Sequence, residues 1–302
     1  MLSFEMPMSP VLIFDQVSKR YGTKLALDQL SLTVEPGEIV GFLGPNGAGK
    51  TTALHLALGF LRPSAGQGEM FGRPFGDATA RRRLGFISDK PVFFPGNAEA
   101  AVAIAATFSG AGVTRAAIRE ALTAVGLGQA RGDVRKFSRG MQQRLALAQA
   151  LIHNPQLLLL DEPISALDPQ STLEVLGLLR RLRDQGTAVL LSSHQLEAVA
   201  TIADRLLLLD QGRELLSGRT ADLLRGSGGY LLTFESLPEE MNIAAERIAR
   251  EGNRAVYKCA AADQRRVIEQ AWTAGATLVD VREAAETLTE LFLRMTNSRR
   301  EV

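Results

Sequence analysis

The stretch Ile39-Val40-Gly41-Phe42-Leu43-Gly44-Pro45-Asn46-Gly47-Ala48-Gly49-Lys50-Thr51-Thr52 sets the architecture of this chain. Ile39–Leu43 is a short apolar run that reads as a buried strand, and Thr51–Phe60 reads as a helix. Between them, Gly44 to Thr51 satisfies G-x-x-x-x-G-K-[ST] in full, in the strand-loop-helix context the motif requires. Glycines let the backbone curl so that successive N–H groups face an anionic phosphate. The helix that follows adds its partial positive N-terminus. The loop residues Gly44, Pro45, Asn46, Gly47, Ala48 and Gly49 are therefore expected to line a nucleotide-phosphate site. Lys50 reaches for the β- and γ-phosphates, Thr51 offers a hydroxyl to Mg²⁺, and Thr52 adds another N–H and hydroxyl.

Mg²⁺ needs a carboxylate as well as a hydroxyl. Leu157–Leu160 is a continuous apolar run between Pro155 and Asp161, as expected of a parallel-sheet strand buried on both faces. Asp161 stands at its end, where an open parallel sheet presents ligand-binding groups, and is the candidate metal ligand. Glu162 follows and is the candidate for polarising an attacking water. Strand signals at 11–34, 188–192 and 205–210 alternate with helical signals at 98–128, 138–153, 170–185 and 195–203, which indicates an α/β domain.

Further motifs follow in a fixed order. Phe137-Ser138-Arg139-Gly140-Met141-Gln142-Gln143-Arg144 precedes Asp161-Glu162-Pro163, then Ser165-Ala166-Leu167-Asp168, then His194. The set resembles the ATP-binding subunit of ABC transporters over roughly residues 11–215, and most closely the exporter branch that handles drugs, polysaccharides and lipids. The resemblance implies a P-loop NTPase core of the ABC type, with an antiparallel β subdomain and a helical subdomain at about 90–153. It implies that Tyr21 stacks on adenine and that His194 contacts the γ-phosphate. It also implies that Ser138 and Gly140 complete the site of a second subunit, and that Asp168 lies in the loop that communicates between the two sites. Two departures stand out: the signature reads Phe-Ser-Arg-Gly-Met, and Asp89 falls where the family usually has a glutamine that serves nucleotide and Mg²⁺. The resemblance places a groove for a membrane subunit near Phe93, Phe94 and Pro95. His55 and His153 match no motif and read as packing or surface residues, and Arg81-Arg82-Arg83 as a solvated helix end.

After about residue 225 the pattern changes. Gly226-Ser227-Gly228-Gly229 has linker composition. Strands are expected at Tyr230–Phe234, Ala255–Cys259 and Thr277–Val281, with helices at 239–251, 263–274 and 285–297. At about 150 residues per domain, 302 residues allow two domains, and the patterns make them unequal. Residues 1–225 form the ATP-binding domain and 226–302 a small C-terminal α+β accessory domain.

Composition narrows the partners. A net charge of +1 gives no bulk attraction to nucleic acid or an anionic membrane surface. The single cysteine, Cys259, excludes an intrachain disulfide and a multi-thiolate zinc site. No apolar run reaches the roughly 20 residues that span a bilayer, and the N-terminus has no signal-peptide pattern. The expected partners are thus a transmembrane permease subunit and a second ATP-binding subunit, in a homodimer or heterodimer. The chain is then cytoplasmic and peripheral on the membrane, which it touches only through the permease. The expected activity is hydrolysis of Mg-ATP to energise an exporter. The alternative is a regulatory or non-transport ABC ATPase with low turnover.

Overall fold

The computed structural model describes residues 9–110, 112–224, 229–236, 243–284 and 287–298, with the side chains of Arg294, Asn297 and Ser298 excepted. The linker positions Gly226 to Gly228, Glu239 to Asn242 of the expected helix at 239–251, and Ala285 and Glu286 of the expected helix at 285–297 lie outside these residues. The chain forms two compact units that part between Arg219 and Thr220.

In chain order the first unit runs β1 (Leu12–Tyr21), β2 (Lys24–Val34), β3 (Ile39–Leu43), α1 (Lys50–Ala57), β4 (Ala65–Met70), β5 (Arg73–Pro74), α2 (Ala78–Arg81) and β6 (Leu84–Ile87). It continues through α3 (Ala98–Ser109), α4 (Arg115–Ala124), α5 (Arg139–Leu151), β7 (Leu157–Asp161), α6 (Pro169–Asp184), β8 (Ala188–Ser193), α7 (Leu196–Ala200), β9 (Arg205–Asp210) and β10 (Arg213–Arg219). Two sheets organise it. One is four-stranded and antiparallel, in the order β2-β1-β4-β5. The other is six-stranded, β10-β9-β3-β8-β7-β6, parallel throughout except for β10.

Every residue of β3, β7 and β8 is buried, so their apolar runs meet side chains on both faces. Such a sheet offers polar chemistry only at strand ends, and the C-terminal ends of β3, β7 and β8 lie side by side. Leu43 pairs with Ser193, and Asp161 with Ser192. The helices α3, α4 and α5 pack on one another. The helical signal at 98–128 is broken at Gly110, which caps α3 in the left-handed conformation (φ 73°). Asn97 and Thr114 cap the N-termini of α3 and α4 with their side-chain oxygens.

The second unit contains α8 (Thr220–Leu223), β11 (Tyr230–Glu235), β12 (Glu246–Glu251), β13 (Arg254–Cys259), α9 (Gln264–Thr273), β14 (Thr277–Glu283) and α10 (Leu288–Ser298). Its strands form an antiparallel sheet ordered β12-β13-β11-β14. Leu232, Phe234, Ala255, Tyr257 and Cys259 pack with Val267 and Ala271 of α9. Residues 246–251 are thus a strand, not part of a helix. Glu, Arg and Ala favour helix locally, but pairing with β13 outweighs that preference. Among the described residues no helix is long and apolar enough to cross a membrane.

Candidate functional site

The phosphate loop joins β3 to α1, and its glycines are required by geometry. Gly44 has φ 152°, and a Cβ there would lie 2.2 Å from the Leu209 carbonyl oxygen. Gly49, the N-cap of α1, has φ 113°, and its Cβ would meet the Ala26 oxygen at 2.6 Å. Gly47 has φ 82° with open space around it. The β9–β10 turn braces the loop: Gly212 N donates to Ala48 O, and Asp28 N of β2 donates to Gly212 O, both at 2.8 Å.

A cleft of about 290 Å³ opens over this loop. Pro45, Asn46, Gly47, Ala48, Gly49, Lys50, Thr51 and Thr52 line it, with Tyr21, Asp89, Asp161 and Glu162. Gly44 forms the loop's base, where its carbonyl accepts a 2.6 Å bond from Lys50 Nζ. Lys24 and Ala26 of β2 also line the cleft, and neither was expected from the sequence. Tyr21 ends β1 beside the Gly22-Thr23 turn, is 46% exposed, and has Lys19 Nζ 5.3 Å from its ring centroid. An exposed aromatic face at one end and a loop of N–H groups at the other suit a flat base joined to phosphates.

The acidic pair at the end of β7 diverges. Asp161 turns toward the loop: Thr51 Oγ1 donates to its Oδ2 at 2.8 Å, and Ser192 Oγ donates to Oδ1 at 2.6 Å. Glu162 adopts left-handed backbone geometry (φ 52°), a strained conformation for a non-glycine residue. Its N–H is held by the Ser192 carbonyl at 3.1 Å. Its two carboxylate oxygens face different partners. Oε2 accepts from His194 Nδ1 at 2.8 Å, whereas Oε1 is 3.5 Å from Lys50 Nζ and buried without a hydrogen bond. Ser192 thus holds the Asp161 carboxylate and the Glu162 main-chain N–H. Its signal in the sequence was indirect, a polar residue ending the strand beside β7. Gln143 of α5 also reaches the site, with Nε2 3.5 Å from the Glu162 carbonyl.

The donor set fits Mg²⁺. Thr51 and Asp161 present two adjacent hard oxygens, and Mg²⁺ is commonly held by one or two such groups plus substrate phosphates and water. Among the described residues no group of three or more His, Cys, Asp or Glu would hold an ion unaided.

Other candidates lie elsewhere. Ser138 caps α5, accepting from Met141 N at 3.2 Å, and neither it nor Gly140 lines the cleft. Asp168 caps α6, and the Ser171 hydroxyl and N–H hold its carboxyl below the usual range. Phe93 is buried, while Val92 and Phe94 are exposed. His55 packs edge-on against Phe60, and His153 Nε2 lies 3.0 Å from the Leu84 carbonyl oxygen. Arg83 stacks on Phe71 and donates to Gln156, so the basic run is only partly a free helix end.

Known proteins resemble this chain in sequence and in fold. Residues 27–165 match the family model described as ABC transporter. An uncharacterized ABC transporter ATP-binding protein of Nostoc sp. is 40% identical over 68% of this chain, and the match spans 63% of that relative's length. One from Synechocystis sp. is 32% identical over 94% of this chain and 84% of its own. The Nod factor export ATP-binding protein I of Burkholderia thailandensis is 38% identical over 72% of this chain and 73% of its own. Among solved structures, a bacterial Atm1-family ABC exporter with ATP bound superposes with TM-score 0.66 at 30% identity, over 73% of this chain and 41% of that one. A dimeric ATP-binding cassette in a post-hydrolysis state, bound to ADP and Pi, gives 0.64 at 25% identity, over 69% and 98%.

The chain belongs to the family of ABC transporter ATP-binding proteins. It has the P-loop NTPase fold of ABC ATPases and binds ATP. The relatives' names are transporter names, so the regulatory or non-transport alternative is not favoured.

Proposed function

We propose that this chain is the ATP-hydrolysing subunit of an exporter, working with a transmembrane permease at the cytoplasmic face of the membrane. Residues 1–225 are the ATP-binding domain and 226–302 an accessory domain. Two ATP-binding subunits, identical or homologous, close head to tail around two nucleotides, each γ-phosphate lying between one subunit's loop and the other's Ser138 and Gly140. The exporter assignment is supported by the Nod factor export relative. Exposed Val92 and Phe94 give the permease an apolar face to dock on.

One observation carries this reading: Thr51, Asp161, Glu162 and Lys50 converge on a single cleft, and His194 Nδ1 bonds to Glu162 Oε2. Tyr21 stacks on the base, and residues Gly44 to Thr52 surround the phosphates with N–H groups. Thr51 and Asp161 would hold Mg²⁺, and Asp89 lines the same cleft as a further carboxylate. Mg²⁺ supplies charge neutralisation across the phosphate oxygens. Lys50 stabilises the charge that develops on the transferred phosphoryl group. Glu162 orients the attacking water and accepts its proton, while His194 fixes the carboxylate and faces the γ-phosphate.

Phosphate release by the purified chain, alone and with the membrane protein that copurifies with it, tests this. Mg²⁺-dependent release that rises in the complex is expected. Release that is absent in both would defeat the assignment.

A further inference from the structure

We propose that the outer edge of β14 is a self-pairing surface, which joins the C-terminal sheets of two copies of this chain into one eight-stranded antiparallel sheet. Among the described residues β14 pairs only with β11, so one edge of it is open. Ala284 N donates to Gly229 O at 2.9 Å on the β11 side. Main-chain groups alternate along a strand, so those of Val281 and Glu283 point away from β11, toward the open edge.

Among axes on the three central residues Asp280, Val281 and Arg282, the charges of β14 select one. Antiparallel pairing of two copies places a two-fold axis on one residue. Centred on Asp280 it would oppose two aspartates, and centred on Arg282 two arginines. Centred on Val281, it forms a hydrogen-bonded Val281 pair flanked by two Asp280–Arg282 contacts between copies. Those contacts fall at non-hydrogen-bonded positions, where facing side chains are closest. Asp280 and Arg282 already form an ion pair within each strand, so the assembled pair carries a ring of four alternating charges.

The opposite edge behaves differently. In β12 all six residues are exposed and four are charged (Glu246, Arg247, Arg250 and Glu251), the pattern of an edge guarded against pairing. In β14, Val279 and Val281 are 45% and 40% exposed, an apolar and β-branched edge suited to another strand.

The contact uses only residues of the C-terminal unit and no nucleotide, so the test follows the full chain without nucleotide by sedimentation. The natural chain is expected to self-associate. Asp280→Arg leaves two arginines on the edge and Arg282→Asp two aspartates, and each is expected to weaken association about tenfold or more. An equimolar mixture of the two variants is expected to restore it, because each supplies the charge the other lacks. Glu246→Arg on β12 serves as the control and should change nothing. If a charge variant fails to fold, Val281→Cys decides: its two copies are expected to oxidise to a dimer, since hydrogen-bonded cross-strand pairs have Cα atoms about 5.5 Å apart. A natural chain that stays monomeric at about 100 μM overturns the proposal. So does a mixture that associates no better than its components, a control that abolishes pairing, or a Val281→Cys chain that stays uncrosslinked.

Discussion

The two sheets that dominate the two units solve opposite problems. The six-stranded sheet of the ATPase unit hides β3, β7 and β8 on both faces. In these three strands polar groups are confined to the C-terminal ends, and there Asp161, Ser192 and the phosphate loop meet. The four-stranded sheet of the C-terminal unit is only partly covered, and its outer strands β12 and β14 stay largely exposed. Full burial concentrates chemistry at one end of a sheet, while partial burial leaves edges and charged faces available for contacts.

Substitutions probe this contrast, beginning with the site. Glu162→Gln keeps shape and removes the basic oxygen, so phosphate release should fall about 10²–10⁴-fold while nucleotide binding persists. Normal turnover by that variant would remove Glu162 from its assigned role. Leu159→Ala opens a cavity in the middle of β7 and should cost about 2–5 kcal/mol in denaturant unfolding. A loss below about 1 kcal/mol would mean that the parallel sheet tolerates voids better than dense packing allows.

The C-terminal unit should respond more weakly. The Lys258 ammonium, with the Thr287 N–H, holds the Glu290 carboxyl below its ordinary value. A depressed carboxyl contributes stability that is fully present above its unfolded value and is lost as pH falls through the lower folded one. Glu290→Gln should therefore flatten the acid limb of unfolding of the C-terminal unit, by less than about 1 kcal/mol because the pair is partly solvated. An unchanged acid limb would contradict the pairing. Smallest of all, Ile248→Ala on exposed β12 should stay within about 0.5 kcal/mol of the natural chain, read by the same unfolding titration.

The same contrast explains what the sequence revealed. Strands β3, β7, β8 and β9 are legible because burial on both faces demands unbroken apolar runs. The phosphate loop is legible because its positive φ angles and close backbone contacts demand glycine. By contrast, Glu246–Glu251 has no buried face, so nothing in its residues records the pairing with β13. Ala65–Met70 was missed for a related reason: two glycines weaken its signal, and Gly66 and Gly68 are there because Gln16 and Phe75 crowd them. Within the site, Lys50, Thr51, Asp161 and Glu162 could be named from motifs. The bridging role of Ser192 and the approach of Lys24 required the register of β7 on β8 and the course of β2.

The hydrogen bonds from Asp28 to Gly212 and from Gly212 to Ala48 have a metrical consequence. They clamp β2, and with it the Tyr21 hairpin, to the phosphate loop as one frame. On the proposed reading, with the base on Tyr21 and the phosphates in the loop, this frame would set the span between them before any ligand arrives. Thermal stabilisation should climb along the series AMP, ADP, ATP, and a flat series would show that the frame yields instead of holding that span.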